Sequence, residues 1–408
     1  MRISEVKRSL GTGLFLALRG ILRSNKTVQI LTMSMLLLVF LNLLIPKALL
    51  QGLINTVNTK LITLMTSDLV VEPPSGYKQF DDPEAIERAI SQLEGVESVT
   101  SQMRIATEIS AGGYSTTFGS LIVDPEPYGQ VFDTAGYLSE GSFLTPDDMH
   151  QIVLGIQVAG SDDTGLDLYA TSLRSVHAGD TVMVTFPNAV TEEFTVKGII
   201  NSDFTYGDTR SFISRQDYER IDPRAIGRAN LINVKLVPGF DQGKVLLEIE
   251  QLGMGLSVTP WQSQAGVLRS VTRTFEVVIT ILQAIALIVG SITIYIVTYV
   301  DLNNKRKQIG IQRAIGITPF ALTFSYIIRA VLYSLIGNLF GMIVFLKVLI
   351  PWEHQHPFKL PFGYVFLEVD RQYLLGVFGV LFIVAVISSA YPTWRTIKVR
   401  ILDAIWGT

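Results

Sequence analysis

The sequence predicts a membrane protein in which four transmembrane α-helices, one before and three after, flank a large α+β extracytoplasmic domain. Three observations carry this reading: four long apolar runs, an uneven placement of positive charge around them, and about 225 intervening residues of mixed pattern.

Residues 1–26 hold Arg2, Lys7, Arg8, Arg19, Arg23 and Lys26 and are expected to form a cytoplasmic amphipathic segment. The first span is placed at 27–50, because Thr27 to Pro46 carries no charge. Cleavage of this run as a signal peptide is disfavoured by its long basic lead-in and by the lack of an A-x-A-like site after Pro46. The second span, 275–300, contains the uncharged stretch Val277 to Val300. At about 1.5 Å per residue a helix of that length covers about 36 Å, enough for a bilayer core with some tilt. The third span, 326–350, is clean only between Arg329 and Lys347. Long basic side chains can carry their charge to the interface, so neither residue need interrupt it. The alternative, a re-entrant segment, would invert the last span, placed at 373–391.

Charge sets the orientation. Basic residues cluster before the first span, and Lys305, Arg306, Lys307 and Arg313 follow the second. The tail 392–408 adds Arg395, Lys398 and Arg400 against Asp403. Both termini and the segment 301–325 are therefore expected in the cytoplasm, with 51–274 and the short loop 351–372 outside a cell (inner) membrane that the chain crosses repeatedly. Leu50 to Thr274 contains 29 acidic and 15 basic residues, a bias that the whole-chain net charge of −3 conceals. Such a domain does not suit nucleic acid. There is no cysteine, hence neither a disulfide nor a lipidated thiol, and the domain must hold by its core.

Within the domain, strands are predicted at Ser67 to Glu72, Val96 to Ser110, Thr116 to Val123, Ile152 to Leu154, Thr181 to Thr185, Glu193 to Ile200 and Leu231 to Leu236, with a helix over Asp82 to Leu93. Gly112-Gly113 and Gly179-Asp180 read as turns. Gly160 to Ala178 reads as an inserted loop or small subdomain. Lys47 to Leu64 and Gln262 to Glu276 are helix-compatible continuations of the first two spans, expected to project as a stalk.

Several chemistries lack their residues. The only Gly-Lys, Gly243-Lys244, has neither the upstream Gly nor the following Ser or Thr of a phosphate-binding loop, so no ATP hydrolysis is expected of this sequence. His354 and His356 could meet one metal from a strand-like loop, but two solvated histidines are the better reading. Asp162, Asp163 and Asp167, and the pair Asp147 and Asp148, lack calcium-loop spacing and read as solvated loop charge. Neither a catalytic centre nor a cofactor or metal site is expected, and the spans show no buried carboxylates or histidines suited to ion-coupled transport.

The segment Asn303 to Thr318 sets Arg306, Lys307 and Arg313 beside Ile309, Ile311, Ala314, Ile315 and Ile317, a basic and apolar patch suited to another chain. Gly316 can close one helix in a left-handed cap, after which Thr318 and Pro319 open the next. Here KRKQIGIQRAIGIT resembles the R-x-x-E-I-G-x-x-R-A-x-G-A-T signature of FtsX-like ABC transporter permeases, the group that includes MacB and LolC/LolE. LSEGSFLTPDDMHQIVLG, AGDTVMVTF and EEFTVKGII resemble the MacB-type core domain, and YPTWRTIKVRILDAIWG resembles the family's tail. Departures are Gln308 for the signature's acid, Arg329 where Glu is common, and Ala404 after Asp403 where Pro is usual.

The resemblance implies a non-catalytic permease that pairs with itself or a sister chain and binds two copies of a separate ABC ATPase, which holds the ATP and Mg. Coupling would run through Arg306, Lys307, Ile309, Gly310, Arg313, Ala314, Ile315 and Gly316. Gly337 and Gly341, a G-x-x-x-G pair, would let helices approach closely. It further implies contact with membrane lipid, an adaptor or other extracytoplasmic effector as a partner, and mechanotransmission that exports or extracts a hydrophobic or lipid-linked substrate. The alternative within the family is signalling to an outside cell-wall hydrolase without solute transport.

Overall fold

The apolar runs fold as helices longer than a bilayer requires. The computed structural model describes residues 3–23, 26–160, 172–264, 266–360 and 363–398. It divides into two units: Met1–Gly52 with Thr272–Phe358 and Phe366–Thr408, and Leu53–Val271 with Lys359–Val365.

The first unit is helical: α1 (Ile3–Arg23), α2 (Lys26–Leu61), α3 (Gly266–Asn304), α4 (Arg306–Ala314), α5 (Pro319–Val344) and α6 (Arg371–Ile397). Among the described residues four stretches are long and apolar enough to cross a membrane, Lys26–Thr66, Thr272–Asn304, Pro319–Gln355 and Arg371–Ile397, and each predicted span falls inside one of them. Pro46 does not end the first; α2 runs through it to Leu61 and a π-helical turn, Ile62–Thr66, follows. Near that proline the Leu43 carbonyl accepts from Gln283 Nε2 at 3.0 Å and from the Tyr373 hydroxyl at 3.0 Å, so neighbouring helices supply donors where the ladder is weakened. Fully buried Phe40 packs edge-on to Phe378, with centroids 5.2 Å apart, in a cluster that includes Leu44, Phe345 and Leu381. Gly337 and Gly341 face α2: a Cβ at Gly337 would come within 2.9 Å of Leu36 Cβ and 3.0 Å of the Met33 carbonyl. Two backbones thus meet where a side chain would hold them apart.

The second unit is built on a ten-stranded mixed sheet in the order β10-β1-β9-β2-β3-β8-β5-β7-β4, with β6 pairing β2 and β7. The strands are β1 (Leu69–Glu72), β2 (Val96–Ala111), β3 (Tyr114–Val123), β4 (Leu138–Gly141), β5 (Gln151–Gly155), β6 (Thr181–Thr185), β7 (Thr191–Ile200), β8 (Arg210–Ser214), β9 (Leu231–Leu236) and β10 (Ser257–Pro260). All pairs are antiparallel except β3 with β8 and β5 with β7. Gly112 and Gly113, at φ +55° and +85°, form the two-residue turn that sets β2 against β3 in the register Ala111 to Tyr114. Asp82 caps the helix Pro83–Ser91 by accepting from Ala85 N at 3.0 Å. One sheet face buries Ile109, Ile122, Leu154, Phe194 and Ile213; the other buries Leu121, Tyr128, Val153 and Phe212.

Asp208 fixes the loop before β8. Its carboxylate accepts from Ser202 N at 2.9 Å, Ser202 Oγ at 2.7 Å and Phe204 N at 3.2 Å. Burial pushes this carboxyl up from 3.8 to about 6 against the opposing effect of those donors. The folded chain therefore holds the proton more tightly than the unfolded chain between about pH 4 and pH 6. From this group stability falls as pH rises through that window, by up to about 3 kcal/mol. Unfolding of the detergent-solubilised chain at pH 4.5, 5.5 and 7 checks this: the Asp208→Asn variant should lack the slope, and identical slopes would refute it.

Candidate functional site

The corner between α3 and α5 is formed by α4 and two caps. α4 ends in a Schellman arrangement: Gly316 N donates to the Arg313 carbonyl at 3.1 Å and Ile317 N to the Gln312 carbonyl at 3.1 Å. Gly316 sits at φ +97°, a conformation open to glycine at little cost. Thr318 then caps α5 by accepting from Ala321 N at 3.3 Å, with Pro319 at its first position.

Helix phase divides the candidate coupling residues into two sets. Lys307, Ala314, Ile315 and Gly316 are exposed, Ile315 at 74%. Ile309 and Gly310 are buried in their own chain. Ile309 packs among Leu302, Leu322, Tyr326 and Ile397, with Leu16 and Ile317 against the same cluster. Its placement as an outward anchor is thereby corrected. Residues 309 and 311 lie about 200° apart around a helix, so the two isoleucines cannot share a face. Arg306 is half-buried, and Arg313 is tied inward by Nη1 donating to the Ile397 carbonyl at 2.8 Å. The exposed apolar surface is instead Ile311 (48%), Ile315 and Phe320 (46%). Phe320 follows the Pro that marks a helix start and carries no sequence signal of its own.

Behind the corner, Arg329 is turned inward instead of reaching for the interface. Its side chain is 12% exposed, its Nη1 lies 3.5 Å from Asp301 Oδ2, and its Nη2 donates to the Leu16 carbonyl of α1 at 3.0 Å. The guanidinium also stands 4.5 Å from the Tyr326 ring centroid. Asp301 in turn meets Lys305 at 2.7 Å. With Gln29, Thr32 and Tyr333, the side chains of Asp301, Tyr326 and Arg329 line a mostly apolar cleft among α2, α3 and α5. Asp301 thus gives Arg329 a charge partner inside the helical unit, although Arg329 Nε and Nη1 lack a hydrogen-bond partner.

The remaining candidates have local partners. Asp148 accepts from Thr145 N at 2.6 Å and is paired with Lys197, while Lys244 is paired with Glu94 at 2.7 Å. His354 and His356 belong to the end of a helix, Ile350–Gln355, and not to a strand-like loop; each Nδ1 lies against a carbonyl, of Ile350 and Trp352. The neighbouring Glu353, in the segment 351–372 expected to be a short outside loop, is fully buried. Asp162, Asp163, Asp167, Arg400, Asp403 and Ala404 lie outside the described residues.

Four helices long and apolar enough to cross a membrane, with a sheet domain inserted after the first, define the class as a multi-span membrane protein. Residues 280–401 match the FtsX-like permease C-terminal family. An uncharacterized ABC transporter permease of Methanocaldococcus jannaschii is 22% identical over 404 residues, covering 95% of this chain and 96% of that protein. The macrolide export ATP-binding/permease protein MacB of Escherichia coli K12 is 28% identical over 139 residues, 32% of this chain but 22% of MacB. The periplasmic region of MacB from Actinobacillus actinomycetemcomitans aligns over 51% of this chain and 95% of its own, at 14% identity and a TM-score of 0.35. The chain is thus similar to ABC transporter permeases, and its C-terminal part to the FtsX-like permease family.

Proposed function

We propose that this chain is the non-catalytic permease of a cell-membrane ABC complex and passes ATP-driven motion of separate ATPase subunits to its sheet domain, so as to export or extract a hydrophobic or lipid-linked substrate. Both termini and the α4 corner lie on the cytoplasmic side in this reading, and two permease chains engage two ATPase copies that hold ATP and Mg. The observation that supports it best is the corner: exposed Ile311, Ile315 and Phe320 beside exposed Lys307, with the turn between α4 and α5 capped on both sides and backed by a packed cluster. An exposed apolar knot on a rigid turn has the form of a docking surface.

The test is co-purification of the tagged full-length chain with an ABC ATPase identified by mass spectrometry, followed by measurement of its ATP hydrolysis. Changing Ile311→Asp and Ile315→Asp together should weaken ATPase binding about thirtyfold or more, the effect of losing about 2 kcal/mol at an interface anchor. Lys359→Ala, whose ammonium faces Asp203 at 3.5 Å in the sheet domain, should leave assembly intact. Unchanged binding in the double variant would remove the corner as the coupling surface.

A further inference from the structure

On one face of the sheet, register brings together two arginines that are far apart in sequence. Gly119 of β3 pairs with Ala106 of β2 on one side and Arg210 of β8 on the other; Leu121 likewise joins Arg104 and Phe212. Side chains two apart on a strand share a face, so Arg104, Gly119, Arg210, Leu121 and Phe212 all point the same way. That face is the one covered by Tyr128, whose ring lies 5.8 Å from Phe212.

Two polar groups on this face lack hydrogen-bond partners. Arg210 Nη1 is buried with no hydrogen-bond partner, and so is the hydroxyl of Tyr128, a residue fully buried. Among the described residues no carboxylate pairs with Arg210 or Arg104, and the charged or titratable groups felt by Arg210 are Arg104, which repels it, and Tyr128. Burial and that repulsion pull the Arg210 guanidinium down to about 10, and burial drives the Tyr128 hydroxyl above its ordinary value. Between the arginines, Gly119 leaves the sheet bare: a Cβ there would meet nothing nearer than the Ile105 carbonyl at 4.0 Å. Arg104 is exposed, which opens this end to solvent.

A half-buried cation whose Nη1 is buried and unpartnered, facing a second cation with no carboxylate to neutralise it, is a costly arrangement that an anion would relieve. We propose that Arg210, Arg104 and the Tyr128 hydroxyl form a binding site for an oxyanion, a phosphate or carboxylate group seated over Gly119. The guanidiniums supply charge-assisted donors in the geometry that such groups accept, and the phenol supplies a further O–H. The site lies wholly within the sheet domain and does not depend on the coupling role of the α4 corner.

The test uses the purified full-length chain in detergent, titrated with inorganic phosphate and, separately, with succinate. Sodium chloride at matched ionic strength is the reference. A saturable rise in unfolding temperature over the chloride reference is expected with at least one of the two, and the pair of arms tells a phosphate site from a carboxylate site. Arg210→Gln should weaken the response about tenfold or more, the effect of losing a charge-assisted bond. Without any added oxyanion the same variant should unfold no more easily than wild type, because it removes an uncompensated charge. If Arg210→Gln fails to fold, Arg104→Gln takes its place, since its side chain is exposed and carries no packing. No oxyanion-specific rise in wild type, or equal titrations in wild type and the folded variants, would overturn the site.

Discussion

Asp301→Leu is expected to cost the helical unit about 3 kcal/mol, and adding Arg329→Met should recover most of it. Arg329 is held by Asp301 at 3.5 Å and by the Leu16 carbonyl at 3.0 Å, with its side chain 12% exposed. Removing Asp301 leaves that guanidinium charged among apolar helices with a carbonyl and an aromatic ring to face it. Lys305, 2.7 Å from the same carboxylate, sits nearer the helix end and can turn to water. The asymmetry is physical: breaking one half of a buried pair strands a charge, whereas replacing both halves by apolar groups removes the desolvation cost along with the attraction. Unfolding temperature and the monodisperse fraction in detergent would be compared across wild type, both single variants and the double. A single Asp301→Leu variant as stable as wild type, or a double variant no better than the single, would mean that Arg329 reaches the interface after all.

The long-range framework was legible because its signals are additive along the chain. Uncharged runs of bilayer length, with basic residues at one end, locate α2, α3, α5 and α6 whatever their packing. Gly112-Gly113 states its hairpin outright, and Gly316, Thr318 and Pro319 state the corner, since each position demands a conformation that few residues accept. What stayed hidden depends on partners. β8 (RSFIS) has neither alternation nor flanking glycine or proline, yet it lies between β3 and β5 because both its faces are covered. Arg329 looked like an interface anchor because sequence alone does not show that Asp301 and Leu16 are waiting for it. Arg104 and Arg210 meet only through strand register, with no local pattern to join them. The coupling segment differs: its isoleucines are neighbours in sequence, and helix phase, which forbids Ile309 and Ile311 a common face, sorts them into buried and exposed.

That phase argument yields the second large effect. Ile309→Asp should cost about 4 kcal/mol or more, while Ile315→Asp, at a side chain 74% exposed, should change stability by about 0.5 kcal/mol or less. Ile309 is 3% exposed and touches the cluster that joins α1, α3, α5 and α6 through Leu16, Leu302, Leu322, Tyr326 and Ile397. A carboxylate there loses the packing of the isoleucine and has no donor to take its charge. The two variants therefore separate folding from binding on one short helix. Limited proteolysis by trypsin, which cleaves after Arg306, Lys307 and Arg313, reads out local opening, and thermal unfolding reads out the whole. Ile309→Asp should be cut rapidly and melt early; Ile315→Asp should resist like wild type and lose only its hold on the ATPase. If both variants resist equally, the cluster beneath α4 is not holding the corner, and the rigidity that the proposed transmission of motion needs would have to come from elsewhere.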